Sequence, residues 1–370
     1  MKQIKVLVVD DSAVIRQVVS DFINKEPDMV VVGKARNGQE ALDLIPSLKP
    51  DVVTLDIQMP VLDGLATLEE ITRRFPLPVI MASTLTQRGA TISLEALEKG
   101  AFDYVAKPEI GVQQSETFRA ELIQKIRLAA GADIQRIIRI RQAHRRRAAT
   151  VASSVAPVPS KNLDAPASLG RAVIALGIST GGPPALARVF SELAPPMPPI
   201  LVVQHMPPNF TKALGWRLNS LSALEIKEAE AGEAVLPNRV YIAPGGLHME
   251  VQRTGTGPRI VIRDGQPVSG HKPSVDVMMT SAARVYGPRV LGVIMTGMGR
   301  DGVDGCRAIR EAGGYVLGQD EASSDVYGMN KVAFVQGYVD RQFHLDEAAE
   351  VITNFVRERW LSSAALAARP

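Results

Sequence analysis

The 370-residue sequence predicts two α/β domains, each a doubly wound parallel sheet, joined by a connector. Three observations predict it. Short apolar runs alternate with helical patterns from Ile4 to about Val105, and the same alternation resumes at Ala172. Between them lies a stretch with neither periodicity. Composition agrees with a soluble globular chain, at 46% hydrophobic and 22% charged residues. The net charge of +3 says little about partners. Cys306 is the single cysteine, so no disulfide can form within the chain, which fits a reducing compartment.

Five predicted strands order the N-terminal half: Ile4–Val9, Met29–Gly33, Asp51–Leu55, Val79–Ala82 and Phe102–Ala106. Each is a continuous apolar run, as strands buried on both faces require. The segments between carry apolar residues three and four apart, as in Val14, Ile15, Val18, Val19 and Phe22. A last helix is expected from about Ser115 to near Ala130.

Residues 136–147 then carry Arg136, Arg139, Arg141, Arg145, Arg146 and Arg147, and residues 148–170 are rich in Ala, Pro, Ser and Val. The second stretch has the composition of a linker. The basic stretch reads as a solvated helix end rather than a nucleic-acid contact, because no aromatic residue interleaves the arginines. The expected boundaries are therefore 1–125, 126–169 for the connector, and 170–360.

In the C-terminal half the predicted strands are Ala172–Leu176, Ile200–Val203, Val240–Ala243 and Val290–Met295. A β-hairpin is expected over Leu247–Arg263, turning at Thr254–Pro258. Helices follow Asp301 and run from about Leu345 to Arg359, with Cys306 facing inward on the former. No internal repeat is visible beyond the α/β style of both halves. The opening Met1-Lys-Gln-Ile-Lys-Val shows no signal-peptide pattern, and no apolar run approaches the ~20 residues that cross a bilayer. The expectation is a cytoplasmic protein with no direct membrane insertion and no nucleic-acid partner.

Carboxylates gather at strand ends in the first half. Asp10 and Asp11 close the first strand and Asp56 closes the third. In an open parallel sheet these ends meet at a crevice, and such carboxylates repel unless a hard divalent cation such as Mg²⁺ joins them. Ser83 and Lys107 follow the fourth and fifth strands, where a hydroxyl and an ammonium can meet phosphoryl oxygens on Asp56. Residues 1 to about 125 thus resemble a response-regulator receiver domain, and Asp56–Gly64 resembles that family's loop after its phosphorylated aspartate. The resemblance implies Asp56 as phosphoacceptor and Asp10, Asp11 and Asp56 as Mg²⁺ ligands. It makes Ser83 the switch hydroxyl and Lys107 the phosphate-pairing lysine.

The second half opens with Gly177-Ile-Ser-Thr-Gly181 directly after a strand, which holds Ser179 out in a glycine-flanked turn. The same letters occur in phosphate-binding loops, so the rest of the chain decides. Of the five histidines, His205 ends the strand Ile200–Val203 and its Gln204, and is favoured over His144, His248, His271 and His344 as a base. Asp301, in the loop Thr296-Gly-Met-Gly-Arg-Asp-Gly302, is favoured as the orienting acid over Asp276, Asp304 and Asp325. The chain order Ser, His, Asp excludes the α/β-hydrolase fold, where the order is Ser, Asp, His.

Five segments in order then resemble the catalytic domain of the chemotaxis protein-glutamate methylesterases, over residues 170 to about 358. They are Gly177–Gly182, Gln204–Pro208, Tyr241–Gly246, Pro273–Asp276 and Thr296–Gly299. The resemblance implies a serine esterase with Ser179 as nucleophile, His205 as base and Asp301 as its orienting acid. Thr180 and Met298 fall beside the expected oxyanion site. It further implies phosphorylation-activated hydrolysis of glutamate γ-methyl esters on chemoreceptor cytoplasmic helices, a histidine kinase as phosphodonor, deamidation of receptor glutamines, and no cofactor at the esterase site.

The sequence departs from that pattern at Asp325, where an apolar residue is usual, and at Asn330, where proline is usual. Two rivals have different output. A DNA-binding regulator needs a recognition helix after the linker, and an α/β unit stands there instead. A catalytically idle adaptor or phosphate sink is opposed by the intact Ser, His and Asp. The linked architecture also leads to the expectation that the unphosphorylated receiver blocks the catalytic face.

Overall fold

The computed structural model describes residues 3–84, 86–107, 112–139 and 164–362. The chain divides into two units, Met1–Ala149 and Thr150–Pro370. Residues 140–163, which hold most of the linker and most of the arginine-rich stretch, including His144, lie outside the described residues. Among the described residues no helix is long and apolar enough to cross a membrane.

The first unit alternates β1 (Ile4–Val9), α1 (Ala13–Asn24), β2 (Met29–Ala35), α2 (Gly38–Leu48), β3 (Val52–Asp56), α3 (Gly64–Arg74), β4 (Val79–Thr84), α4 (Gln87–Lys99), β5 (Asp103–Lys107) and α5 (Val112–Gly131). Its strands pair in parallel in the order β2-β1-β3-β4-β5. The apolar runs become the sheet because both faces are covered: Val6, Leu7, Val52, Val53, Leu55, Val79 and Ile80 are all fully buried. Polar side chains start the helices at the sheet's carboxyl edge. Ser12, Asn37 and Asp63 accept from the backbone N–H groups of Ile15, Glu40 and Ala66. The strand order reverses direction between β1 and β3, and the crevice at that switch point holds Asp10, Asp11 and Asp56. Helix α5 begins three residues earlier than the sequence pattern suggests.

The second unit is a seven-stranded sheet, β14-β13-β12-β6-β7-β9-β8, in which every pairing is parallel. Its strands are β6 (Val173–Ile178), β7 (Ile200–Gln204), β8 (Glu225–Glu228), β9 (Arg239–Ile242), β12 (Val290–Ile294), β13 (Tyr315–Gln319) and β14 (Arg341–Phe343). A separate antiparallel hairpin, β10 (His248–Thr254) and β11 (Gly257–Arg263), turns where the sequence places it. Helices α6 (Gly182–Glu192), α7 (Phe210–Leu221), α8 (Val275–Tyr286), α9 (Val303–Glu311), α10 (Met329–Val335) and α11 (Ala348–Val356) complete the unit.

Three of these strands carry weak apolar signals. β8 reads Glu-Ile-Lys-Glu with only Ile226 buried, and β14 has three residues; both are edges, where charge and shortness block further pairing. β13 is interrupted by Gly318, whose Cβ would fall 2.9 Å from Val339. The core beneath α8 and α9 includes Tyr241, Met278, Met279, Val303 and Cys306, so Cys306 faces inward as expected. What positions the chemistry is the centre of the sheet: β12, β6 and β7 lie side by side, with their carboxyl ends at one edge.

Candidate active site and phosphoacceptor site

In the first unit, carboxylate oxygens of Asp10, Asp11 and Asp56 lie within 4.8 Å of one another. Lys107 Nζ bridges two of them, 2.6 Å from Asp10 Oδ2 and 2.7 Å from Asp56 Oδ1. Burial pushes the Asp56 carboxyl above its ordinary value, against the pull of the Lys107 ammonium. Ser83 is buried at the end of β4, beside β5 in register with Ala106. Sequence reasoning misses Arg16. Its Nη1 donates to the backbone carbonyls of Asp10 (2.6 Å) and Asp11 (2.9 Å), holding the acidic turn from one helical turn into α1. An arginine four residues after a helix cap carries no signal of that task.

In the second unit, Ser179 directly follows β6 and His205 directly follows β7. Their preceding residues, Ile178 and Gln204, are paired across the sheet. The Ser179 turn is fastened on both sides. Its N–H donates to Thr296 O (2.9 Å), and its carbonyl accepts from Gly182 N (2.8 Å) and Gln204 Nε2 (3.0 Å). Gln204 Nε2 also donates to His205 O at 3.2 Å, so one buried amide spans both strand ends. The glycines are needed for contact as well as for conformation. Gly181 has φ +80°, and a Cβ at Gly182 would fall 1.9 Å from Gln204 Oε1.

His205 Nε2 lies 2.8 Å from Asp301 Oδ2. Asp301 is fully buried and also accepts from Ser274 Oγ (2.7 Å), Val275 N (2.7 Å) and Asp276 N (3.0 Å). Burial alone raises its carboxyl pKa. The hydrogen bond and charge of His205 and the backbone N–H groups outweigh that and hold it at about 2. Asp301 thus stays a carboxylate and fixes a proton on Nε2, which leaves Nδ1 as the basic nitrogen. His205 Nδ1 is buried and makes no hydrogen bond among the described residues.

Asp301 is also the N-terminal cap of α8. Asp276, in the first turn of α8, accepts from Gly302 N (2.9 Å) and Gly305 N (2.8 Å) and caps α9 in return. The two helices exchange caps. Burial, with repulsion from Asp301, pushes the Asp276 carboxyl up to about 6.

The remaining candidates separate cleanly. His248 is structural: its Nε2 meets Gln266 O at 3.0 Å and its Nδ1 accepts from Ser274 N. His344 starts a short 3₁₀ turn, accepting from Asp346 N. Asp304 makes surface ion pairs with Arg300 and Arg307. Asp325 packs against the Ser179 turn, where a Cβ on Gly181 would lie 2.7 Å from its carboxylate. Asn330 is buried and donates to Gln319 O and Ser324 Oγ, tying the end of β13 to the loop before α10. Thr180 O accepts from Thr296 Oγ1, and Met298 follows Gly297, whose ideal Cβ lies 2.7 Å from Ser179 Cβ. Both therefore border Ser179. Gln204 and Ser274 escape sequence reasoning about the site, although Ser274 three residues before Val277 reads as a helix cap.

The comparisons with known proteins identify both domains. The family model for CheB methylesterase matches residues 174–352, and that for the response regulator receiver domain matches residues 6–115. A protein-glutamate methylesterase/protein-glutamine glutaminase of Pectobacterium atrosepticum is 43% identical over 95% of this chain and 96% of its own. One from Paraburkholderia xenovorans is 45% identical over 94% of this chain and 95% of its own. That of Salmonella typhimurium is 42% identical over 95% and 96%. With both domain models matched in order and relatives aligned over nearly their whole length, the chain belongs to the CheB protein-glutamate methylesterase/protein-glutamine glutaminase family, with a receiver domain preceding the methylesterase domain.

Proposed function

We propose that this protein hydrolyses glutamate γ-methyl esters on the cytoplasmic helices of chemoreceptors, with Ser179, His205 and Asp301 as its catalytic groups. The observation that carries the reading is the His205–Asp301 pair emerging beside Ser179 from adjacent strand ends. His205 Nδ1 takes the Ser179 proton as the hydroxyl oxygen attacks the ester carbonyl, while Nε2–H stays on Asp301 and the carboxylate stabilises the imidazolium. Backbone N–H groups at Thr180 and Met298 hold the oxyanion; one such donor contributes ~3 kcal/mol to the transition state. The imidazolium then protonates departing methanol, and water, activated by the same nitrogen, releases glutamate. With a receptor glutamine the leaving group is ammonia, which gives the glutaminase activity.

Asp56 is the phosphoacceptor and a histidine kinase the donor. The converging oxygens of Asp10, Asp11 and Asp56 suit Mg²⁺, a hard cation with oxygen ligands. When bound there, the ion supplies positive charge for phosphoryl oxygens. Lys107 and Ser83 pair with the phosphoryl group once it is on Asp56. The reading places the enzyme in the cytoplasm, where receptor helices and kinase meet.

The test is methanol release from a methylated receptor fragment, with and without a small-molecule phosphodonor. Release that rises with phosphodonor and vanishes in Ser179→Ala is expected. No release from the folded, phosphorylated protein would leave it a phosphate sink.

A further inference from the structure

His271 lies over the face of His205, with ring centroids 3.8 Å apart and planes within 3° of parallel. We propose that His271 is a positioning residue, which fixes the plane of the His205 imidazole for proton transfer between Ser179 and Nδ1. The inference rests on His205 being the general base.

The need for such a residue follows from the hydrogen bonds. Asp301 restrains His205 at Nε2 alone, and one hydrogen bond at the edge of a ring leaves the ring free to tilt about that contact. A tilt carries the buried Nδ1 out of the plane in which the Asp301 contact holds the ring. A parallel ring in van der Waals contact with one face blocks the tilt toward that face and lets the ring slide only in its own plane.

The neighbouring backbone supports His271 in that task. Val268 and His271 exchange two backbone hydrogen bonds of 3.0 Å across a two-residue turn. Both central residues are left-handed, Ser269 at φ +52° and Gly270 at φ +81°, which is the tight reversal that also closes β-hairpins. Ser269 Oγ donates to Asp276 Oδ2 at 3.0 Å, so the turn is fastened to the pair of exchanged helix caps that includes Asp301. On the other side, Gly246 N donates to Lys272 O, and Lys272 Nζ meets Asp264 Oδ1 at 2.8 Å. The base and the ring that covers it are thus anchored to the same helix start through separate contacts.

Steady-state methanol release from the full-length phosphorylated enzyme tests this, with three substitutions. His271→Ala removes the ring and is expected to lower kcat about tenfold with KM unchanged, because a small misplacement of a catalytic group costs rate rather than binding. His271→Leu, of similar bulk but not planar, is expected to resemble Ala. His271→Phe keeps a planar ring and is expected to stay within about twofold of the wild type. The His205 imidazole proton on Asp301, seen far downfield by NMR, should broaden in the Ala variant and stay sharp in the Phe variant.

Wild-type kcat in His271→Ala overturns the proposal. A raised KM with unchanged kcat does so too, making His271 a substrate contact. Equal losses in Ala and Phe variants would place the effect in the imidazole nitrogens and also overturn it. His205→Ala is the control: appreciable turnover there removes the base assignment itself, whereas an inert control beside an active His271→Ala removes only the positioning role.

Discussion

Replacing Asp276 by Asn is expected to stabilise the C-terminal unit above pH 6. The carboxylate is held beside Asp301 in a buried setting, and its pKa stands at about 6 rather than 3.8. A folded pKa above the unfolded one means that ionisation opposes folding. The cost is present above pH 6 and is relieved as pH falls from 6 towards 4. Roughly two units at ~1.4 kcal/mol each set an upper bound of roughly 3 kcal/mol, which solvent screening reduces to roughly 1–2.

The amide keeps the geometry. Its Oδ1 still accepts from Gly302 N and Gly305 N, and the Ser269 hydroxyl can turn to accept from the new Nδ2. Urea unfolding of the full-length protein reads the effect without interference from the receiver, because the two tryptophans, Trp216 and Trp360, both lie in the C-terminal unit. The variant midpoint should exceed the wild type at pH 8 and converge with it near pH 4.5. A variant less stable than the wild type at pH 8, or a wild type whose stability does not rise between pH 7 and 5, would refute the reasoning.

In the proposed mechanism Ser179, His205 and Asp301 act as a unit, so Ser179→Ala and Asp301→Asn should each remove nearly all turnover, and the double variant should lose little more than the worse single one; methanol release measures this, and multiplying losses would argue against a shared step. Below pH 4 the sign reverses for the wild type, because the Asp301 carboxyl, held at about 2, stabilises the fold above its unfolded pKa and loses that contribution, on the order of 2 kcal/mol, as pH falls through 2; acid unfolding followed by tryptophan fluorescence should show it, and Asp301→Asn should not. Lys107→Met leaves Asp10 and Asp56 buried without their ammonium and should destabilise the receiver by ~3 kcal/mol, with partial rescue by Mg²⁺; circular dichroism melts with and without the ion test this, and an unchanged melt would refute it. Val61 is 83% exposed at φ +70°, a conformation costly for a β-branched residue, so Val61→Asn should raise the receiver melting temperature by the equivalent of ~1 kcal/mol, and a lowered one would count against strain there. Removing residues 1–147 should raise basal methanol release and make it independent of phosphodonor; a truncated enzyme slower than the unphosphorylated whole would make the receiver an activator.

Much of the architecture was legible because parallel strands buried on both faces leave continuous apolar runs, such as Ile200–Val203, several of them ended by the polar residues proposed as the site. Ser179, His205 and Asp56 could be picked out for that reason: each sits next to a strong local signal. Edge strands β8 and β14 lacked such runs, since an edge half in water is written in charged residues. The exchange of caps between Asp301 and Asp276 depends on two carboxylates 25 residues apart meeting each other's helix start in space. No local pattern encodes that meeting. The same holds for Gln204, whose amide serves two carbonyls, and for the ring nitrogen that faces Asp301. His271 was visible only as one histidine among five, because stacking on His205 arises from a turn 66 residues downstream.

The strand that ends at Ser179, β6, lies between β7, which follows it closely in sequence, and β12, which begins 117 residues after it, so one half of the sheet is made long before the other. On a ribosome Ser179 emerges long before its site can exist. Thr296, which holds its N–H, and Asp301, the partner of His205, are made last of the set, Asp301 122 residues after Ser179 itself. At about 5–20 residues per second this interval lasts roughly 6–24 seconds. During most of it the nascent chain already holds both Ser179 and His205 but lacks the carboxylate that fixes the imidazole. Hydrolytic competence therefore arrives only with the completed sheet, and an aborted translation product that stops short of residue 301 is chemically silent.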